Sequence, residues 1–194
     1  MDVSEYRPWS VPQRDDQVGR LKDEEFDVLV IGGGCVGTGV ALDASTRGLK
    51  VALIDQSDWA SGTSGRSTKL IHGGIRYLEN AFMKLDFQSF KLVDEALAER
   101  QHLLKAAEFM AKPVPIMIPL YSWWEVPYMY IGAKVYDVIA RRRRFVPPAH
   151  YIGKEEALYR FPQLRSDGLK GAVVYYDGMH NDSRMNLLIA LTAV

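Results

Sequence analysis

The stretch FDVLVIGGGCVGTGVALDASTRGLKVALID, residues 26–55, decides the fold class. It begins with the short apolar and β-branched run Phe26–Ile31, which predicts a buried strand. Small and apolar residues then recur at helical spacing over Cys35–Arg47, and Val51–Ile54 is typical of a second buried strand. A strand, a helix and a strand in so short a stretch predict a βαβ unit with two parallel strands, and therefore an α/β fold.

The residues between the first strand and the helix form the motif G-x-G-x-x-G. Gly32 allows the tight turn, Gly34 lets a pyrophosphate approach the backbone, and Gly37 lets helix and strand pack closely. The N–H groups and dipole of the helix N-terminus favour phosphate charge. Asp55 ends the second strand, where it can accept hydrogen bonds from ribose hydroxyls. The pattern predicts a dinucleotide site rather than an empty glycine turn, and Asp55 disfavours NADP without separating FAD from NAD.

Composition excludes several other classes of protein. The chain has 194 residues, of which 47% are hydrophobic and 25% are charged, a balance typical of globular domains. Lys and Arg together number 24, as do Asp and Glu, so overall charge cannot hold the protein to nucleic acid. A single cysteine excludes an internal disulfide framework and a cysteine-based zinc site. Cys35 is expected to be a small packing residue and not a nucleophile.

The segments around the βαβ unit alternate between loops and longer elements. Residues 1–25 are polar and are expected to form an arm with little structure of its own. Gly, Ser and Thr dominate residues 58–69, which predicts a loop. Apolar residues at spacings of three and four predict a long helix over residues 80–112, ended by Pro113 and Pro115.

The last part of the chain returns to regular structure. The run Val173–Tyr176 predicts a strand closed by Asp177 and Gly178, and Asn181–Ser183 supplies cap residues for a final helix. His180 is expected to have a structural role, orienting the helix that follows, and the alternative is that it faces a substrate cavity. Because a βαβ unit supplies only two strands and a doubly wound sheet has more, we expect the chain to be the front part of a longer protein or a truncated product.

The segment DQSDWASGTSGRSTKLIHGGIRYLE, residues 55–79, carries a specific resemblance. With FDVLVIGGGCVGTGVALDASTRGL before it, and KLDFQSFKLVDEALAER, PVPIMIPLYSWWEVPY and LKGAVVYYDGMHNDSRMNLLIALTA after it, this segment resembles the family of mitochondrial FAD-dependent glycerol-3-phosphate dehydrogenases. The resemblance extends over nearly everything from Phe26 to Val194. It implies an α/β fold with a Rossmann-like FAD-binding domain of the glutathione-reductase type, into which a substrate-cap region is inserted.

The resemblance divides the chain into four parts. Residues 1–25 form the arm, 26–112 the first part of the FAD-binding domain, 113–178 the start of the substrate-cap region, and 179–194 a helix returning to the FAD-binding domain. The implied activity is oxidation of sn-glycerol 3-phosphate to glycerone phosphate by hydride transfer to flavin N5. The implied electron acceptor is ubiquinone, and the implied location is the mitochondrial inner membrane, although no targeting signal is visible.

The resemblance and the chemistry together name the site residues. His72 is expected to take the proton of the substrate hydroxyl, since a histidine near neutral pKa suits that role. Arg76 is expected to hold the substrate phosphate by paired hydrogen bonds. The alternatives are a structural histidine and a surface cation. The residues expected to bind FAD, through backbone, hydroxyl or ring contacts, are Gly32, Gly33, Gly34, Cys35, Val36, Gly37, Asp55, Thr63, Ser64, Ser67, Lys69, Leu70, His72 and Gly73.

Aromatic residues followed by cations mark the cap region. Trp123, Trp124, Tyr128 and Tyr130 precede the basic run Arg141–Arg144, a pattern typical of a surface that lies in a membrane interface. It fits a monotopic enzyme that passes electrons to a membrane quinone. The alternative is an aromatic core beside a solvated basic face, and the sequence leaves both open. Without a basic field around the run, nucleic-acid binding is not expected.

Two other functions remain open at this stage. One is an FAD-dependent amine or amino-acid oxidase of the same fold, which would differ at the KLIHGGIRYLE segment. The other is a truncated flavin-binding fragment without catalysis, because we expect that the two sequence-distant parts of the implied flavin site are not both present in this chain. We therefore expect the isolated 194-residue chain to be weak or inactive as an enzyme.

Overall fold

A computed structural model describes residues 13–74, 86–140 and 145–193. The described residues divide into two units: one runs up to Gly65 and resumes at Asn186, and the other runs from Arg66 to Met185. Two of the sequence-based expectations, a phosphate-binding role for Arg76 and a basic membrane-facing run at residues 141–144, fall outside the described residues. The same is true of residues 80–85, the first part of the predicted long helix.

The first unit contains the predicted βαβ arrangement. Its elements are α1 (Arg14–Asp23), β1 (Val28–Ile31), α2 (Cys35–Thr46), β2 (Val51–Ile54) and a 3-10 turn (Thr63–Gly65). Strands β1 and β2 pair in parallel, with Val28 opposite Val51 and Ile31 opposite Ile54. The prediction of two parallel strands joined by a helix is therefore confirmed. Because parallel strands end at the same edge, the glycine turn after β1 and Asp55 after β2 lie side by side.

Helix α1 corrects the expectation that residues 1–25 have little structure of their own. Asp15 and Asp16 lie in its first turn and Arg20 and Lys22 in its last. Acidic groups at the N-terminus and basic groups at the C-terminus interact favourably with the helix dipole. Arg20 also pairs with Glu24 at 2.9 Å. The helix has no buried residue, so its sequence lacks the periodic apolar residues that predict an amphipathic helix.

The second unit is built on an antiparallel sheet. Its strands are β3 (Leu70–Ile71), β4 (Lys112–Leu120), β5 (His150–Gly153) and β6 (Gly171–Met179), and its helices are α3 (Phe87–Ala106), α4 (Glu125–Ala140) and α5 (Lys154–Arg160). Strand β6 is central: β4 pairs along its whole length, and β3 and β5 pair with its two ends. The last helix, α6 (Asp182–Thr192), begins in this unit and passes into the first at Asn186.

Alternate residues of β6 supply two apolar cores. Val173 packs with residues of α3 and α4 on one face, including Leu97 and Tyr136. Its neighbour Val174 packs on the other face, in a cluster that includes Ile152. This alternation follows from the period of two along a strand, and it leaves β6 buried on both faces.

The structure corrects two predicted boundaries in this unit. The long helix ends at Ala106, and Lys112 starts a strand that contains Pro113, Pro115 and Pro119. These prolines stand at positions of the same parity, so their nitrogens, which lack a hydrogen, all face the edge that does not bond β6. The strand predicted at Val173–Tyr176 runs on to Met179, so Asp177 and Gly178 lie inside it instead of closing it.

Candidate functional site

The glycine turn is fixed by the carboxylate that follows β2. The N–H of Gly33 donates to Asp55 Oδ2 at 2.6 Å, and the N–H of Ser57 donates to Asp55 Oδ1 at 2.7 Å. These two hydrogen bonds, that from Gly33 first, hold the pKa of Asp55 below its ordinary value. The carboxylate is therefore ionised at neutral pH, and each oxygen has a further lone pair for a ribose hydroxyl.

The turn also has no room for side chains at two of its glycines. A Cβ on Gly37 would overlap the carbonyl oxygen of Gly32, and a Cβ on Gly33 would overlap the Trp59 ring. Gly32 itself has φ +110°, in the region that favours glycine. The close approach of α2 to the turn therefore requires the motif that the sequence shows.

Ser64 completes the surroundings of the α2 N-terminus. Its Oγ accepts a hydrogen bond from the N–H of Cys35 at 2.9 Å. The turn, the end of β2 and the Ser/Thr loop line one cleft of about 460 Å³. Its lining residues are Ile31, Gly32, Gly34, Asp55, Gln56, Ser57, Ala60, Ser61, Gly62, Thr63 and Ser64. Five predicted cofactor residues thus meet in this cleft: Gly32, Gly34, Asp55, Thr63 and Ser64.

The two residues that begin α2 lie on the surface of the first unit. Cys35 is exposed, so the interpretation of this residue as a packing residue is wrong. Val36 is 75% exposed, which leaves its side chain on the surface of the unit. Val36 can still offer its backbone N–H to a ligand, because the first N–H groups of a helix have no partner within it, whereas the N–H of Cys35 bonds Ser64 Oγ.

Asn186 is a site residue that the sequence reading missed. Its Nδ2 donates to the carbonyl oxygen of Gly33 at 2.7 Å, and its Oδ1 accepts from the hydroxyl of Thr38 at 2.9 Å. Both Thr38 and Asn186 are buried. The amide therefore ties the glycine turn to α2. The only local signal is a single amide within the apolar run MNLLIALTA.

In the second unit Asp182 collects two of the predicted flavin neighbours. One oxygen, Oδ2, accepts from the N–H of Ser67 at 2.9 Å and from its hydroxyl at 2.8 Å, and Lys69 Nζ lies 3.1 Å away. The Ser67 hydroxyl, followed by the Lys69 ammonium, holds the pKa of Asp182 far below its ordinary value. Lys69 has φ +62°, a backbone conformation that is unfavourable for residues other than glycine. The contacts with Asp182 help to hold the backbone in it.

The segment around His72 is held on both sides. Before it, Ile71 of β3 pairs with Gly178 of β6, and Leu70 pairs with Met179. After it, the N–H of the buried Gly73 donates to the hydroxyl oxygen of Tyr136 at 2.8 Å. The His72 side chain between them is exposed. A Cβ on Gly73 would crowd Leu97 and Tyr136, so packing explains the glycine there.

His180 lies beside the same strand pair. Its N–H donates to the carbonyl oxygen of Lys69 at 3.0 Å, which extends the β3–β6 pairing by one bond. Burial lowers the pKa of its imidazole. Within the described part of the chain its buried Nδ1 has no hydrogen-bond partner. The backbone bond is what a structural role would require.

The aromatic residues before α4 and in its first turns are largely on the surface. Trp123 and Trp124 are each 68% exposed and Tyr128 is 46% exposed, whereas Tyr130 is half-buried. The interpretation as a core therefore fails for the first three. No helix among the described residues is long and apolar enough to cross a bilayer. The described ranges also hold no cluster of three or more metal-ligating side chains.

Comparison with known proteins places these features in a family. The DAO family, described as FAD dependent oxidoreductase, matches residues 27–194. The chain is 54% identical over 194 residues to the probable mitochondrial glycerol-3-phosphate dehydrogenase of Caenorhabditis elegans, covering 100% of this chain and 27% of that protein. It is 55% identical over 183 residues to the mitochondrial glycerol-3-phosphate dehydrogenase of Bos taurus, covering 94% and 25%. The chain thus spans about a quarter of the length of these relatives.

A solved structure agrees with the fold. The glycerol-3-phosphate dehydrogenase from Bacillus halodurans, complexed with FAD, superposes with a TM-score of 0.60 at 28% identity and covers 93% of this chain and 27% of that one. The predicted fold class is therefore confirmed. Since the family match covers most of the chain, from Asp27 onward, the chain belongs to the family of FAD dependent oxidoreductases.

Proposed function

We propose that the polypeptide carrying this chain is an FAD-dependent glycerol-3-phosphate dehydrogenase. It oxidises sn-glycerol 3-phosphate to glycerone phosphate and passes the electrons to ubiquinone. The observation that supports this most directly is the identity of 54% and 55% to relatives named mitochondrial glycerol-3-phosphate dehydrogenase. The first of these alignments covers the whole chain, and so includes the glycine turn, the His72 segment and the final helix.

The first unit has the donor set that FAD requires. The start of α2 offers backbone N–H groups and a positive dipole end for the pyrophosphate, and Gly34 keeps the approach open. Asp55, ionised beside the same cleft, suits a ribose. Ser64 and Thr63 add hydroxyls to the cleft wall. When bound, FAD supplies the two-electron acceptor that oxidation of an alcohol needs.

The chemistry at the substrate is assigned to the second unit. His72 takes the proton of the C2 hydroxyl while the hydride leaves C2, and its exposed side chain is accessible to a substrate. Ser67 and Lys69, fixed by Asp182, and Leu70 of β3 are the flavin neighbours in this unit. Arg76 is assigned to the substrate phosphate on the sequence alone.

A flavin-reduction experiment tests the proposal. The complete polypeptide is purified, its visible spectrum is recorded, and glycerol 3-phosphate is added without oxygen. We expect stoichiometric FAD that bleaches on mixing. His72→Asn should keep the flavin and slow bleaching by about 10²- to 10⁴-fold. His102→Asn, on the exposed face of α3, is the matched control and should bleach as the wild type does.

Two outcomes would contradict the assignment. A purified protein without flavin would remove the cofactor, and flavin that bleaches with amino acids but not with glycerol 3-phosphate would favour the amine-oxidase alternative. Unchanged bleaching in the His72 variant would leave FAD in place but move the proton acceptor to another residue.

We also assign this protein to the surface of the mitochondrial inner membrane. The relatives are named mitochondrial, which supports the organelle. The exposed rings of Trp123, Trp124 and Tyr128 lie together near the start of α4, and Lys170 Nζ lies 5.7 Å from the centre of the Trp123 ring. Amphipathic rings beside a cation suit the headgroup level of a bilayer, where a quinone can be reached.

Vesicle flotation tests the membrane assignment. The complete polypeptide is mixed with vesicles that contain anionic lipid, and the bound fraction is compared with that of the double variant Trp123→Ala/Trp124→Ala. We expect the variant to bind at least about tenfold more weakly, because two large apolar groups are removed. Tyr159→Ala, which removes an aromatic on α5 that is even more exposed than either tryptophan, is the control and should bind normally. Equal binding of all three proteins would exclude this surface.

A further inference from the structure

A cluster of polar side chains lies buried in the second unit, away from any surface. Arg100 of α3, Tyr136 of α4 and Asp177 of β6 are each about 1% exposed. Arg100 Nη1 donates to Asp177 Oδ1 at 2.5 Å and to the carbonyl oxygen of Tyr176 at 3.2 Å. The Tyr136 hydroxyl donates to the same Asp177 Oδ1 at 2.9 Å. Three elements distant in sequence therefore meet at one carboxylate oxygen.

Such a cluster is an unusual choice for a core. Burial raises the pKa of Asp177 and so disfavours its charged form, and the guanidinium of Arg100 and the hydroxyl of Tyr136 act against that effect. Buried ion pairs are often no more stabilising than apolar residues of the same volume. Stability alone is therefore a weak reason for this arrangement. The residues that the cluster contacts indicate its role better.

The cluster has one contact that leads to the chemistry. The Tyr136 hydroxyl gives its proton to Asp177, so its oxygen is available as an acceptor, and the N–H of Gly73 donates to it at 2.8 Å. Gly73 directly follows His72, which is among the groups that lower the pKa of Asp177, after Arg100 and Tyr136. With Ile71 paired to β6 on the other side, the backbone of His72 is anchored at both neighbours.

We propose that Tyr136, oriented by Asp177 and Arg100, is a positioning residue that fixes the backbone at His72 and Gly73 and so aims the imidazole at the substrate hydroxyl. The proposal rests on the proposed function. A proton acceptor must lie within hydrogen-bond distance of the hydroxyl, and a displacement of about 1 Å can slow a reaction by about 10²-fold. Replacing the hydroxyl of Tyr136 should therefore affect the chemical step more than substrate binding.

The test uses Tyr136→Phe in the complete polypeptide. The phenylalanine ring can keep the edge-on packing against Tyr175, in which the ring centres lie 6.2 Å apart. Tyr151→Phe is the matched control, because the Tyr151 hydroxyl also bonds a backbone group, the Lys170 carbonyl oxygen at 2.6 Å, at the opposite end of β6. Each variant is measured for kcat and KM with glycerol 3-phosphate and for amide hydrogen exchange in the peptide that contains Gly73.

We expect Tyr136→Phe to lower kcat by about 10- to 100-fold and to change KM by less than about twofold. The isotope effect of substrate deuterated at C2 should rise, because the chemical step becomes slower. The Gly73 peptide should exchange at least about tenfold faster, since its N–H has lost its acceptor. Tyr151→Phe should match the wild type in all of these measurements.

The outcomes separate the two proposals. A wild-type enzyme that does not oxidise glycerol 3-phosphate overturns the proposed function, and with it the catalytic part of the positioning role. An active wild type with an unchanged kcat in Tyr136→Phe overturns the positioning role alone. If Tyr136→Phe does not fold, Arg100→Lys is measured instead. This variant keeps the positive charge but loses the planar set of N–H donors of the guanidinium. A kcat no lower than that of Tyr151→Phe overturns the positioning role of Tyr136.

Discussion

The candidate functional parts of the two units are formed by different kinds of chemical group. In the first, the cleft is made mainly of backbone: glycines, helix N–H groups and a carboxylate that accepts from the turn. In the second, the His72 segment is held by side chains that are themselves buried and polar, Tyr136 and Asp177 among them. The first unit should therefore be sensitive to atoms that are added, and the second to atoms that are removed.

The largest effect is expected from removing the buried cation of the second unit. Arg100→Met leaves the Asp177 carboxylate buried without its cationic partner, which should lower the free energy of unfolding by about 3–5 kcal/mol. Urea denaturation measures this. Arg160→Met, which breaks the exposed pair of Arg160 with Glu156, is the control and should cost less than about 1 kcal/mol. Equal losses of unfolding free energy in the two variants would show that the stability of the second unit does not depend on the buried ion pair.

An added methyl group in the first unit should have the next largest effect. Gly37→Ala places a Cβ on the carbonyl oxygen of Gly32, and such overpacking costs about 1–3 kcal/mol and should also abolish FAD retention. The control is Gly39→Ala in the same helix, where a Cβ has no neighbour within 4 Å. That variant should be stabilised by about 0.5–1 kcal/mol, because alanine favours a helix. If both alanines behaved alike, close approach would not explain the motif.

Deleting an atom from the first unit should cost less. Ser64→Ala removes the oxygen that accepts the N–H of Cys35 at the start of α2, a contact like a helix cap that is worth about 1 kcal/mol. Ser61→Ala, from the wall of the same cleft, is the control and should be close to neutral. Thermal unfolding of the two variants, monitored by circular dichroism, compares them. A loss as large as that of Arg100→Met would reverse the contrast between the units.

The smallest effect should depend on pH. The hydrogen bonds from Gly33 and Ser57 lower the pKa of Asp55 in the folded state, so its contribution to stability is fully present above the unfolded value of about 3.9. That contribution is lost as the pH falls through the lowered, folded pKa. The stability difference between wild type and Asp55→Asn should therefore be constant from pH 7 to 5 and shrink below about pH 4. A difference independent of pH would show that the carboxylate charge is irrelevant.

The sequence predicts more of the first unit than of the second, because the first depends on local patterns and the second on contacts between distant residues. The βαβ arrangement, the glycine turn and Asp55 follow from patterns only a few residues long, which local sequence can reveal. The Arg100–Asp177 and Tyr136–Asp177 contacts join residues 77 and 41 positions apart, and no local period connects them. Asp177 therefore resembled a turn residue, although it lies inside a buried strand. Asn186 was missed in the same way, 153 residues from its partner Gly33.

The prolines of β4 have a consequence for the behaviour of the protein at high concentration. Among the described strands β4 bonds only β6, so its other side is a sheet edge. Pro113, Pro115 and Pro119 leave that edge without N–H donors at three positions. A strand from another molecule would find too few bonds there to extend the sheet. The edge thus discourages intermolecular β-pairing and the aggregation that follows from it.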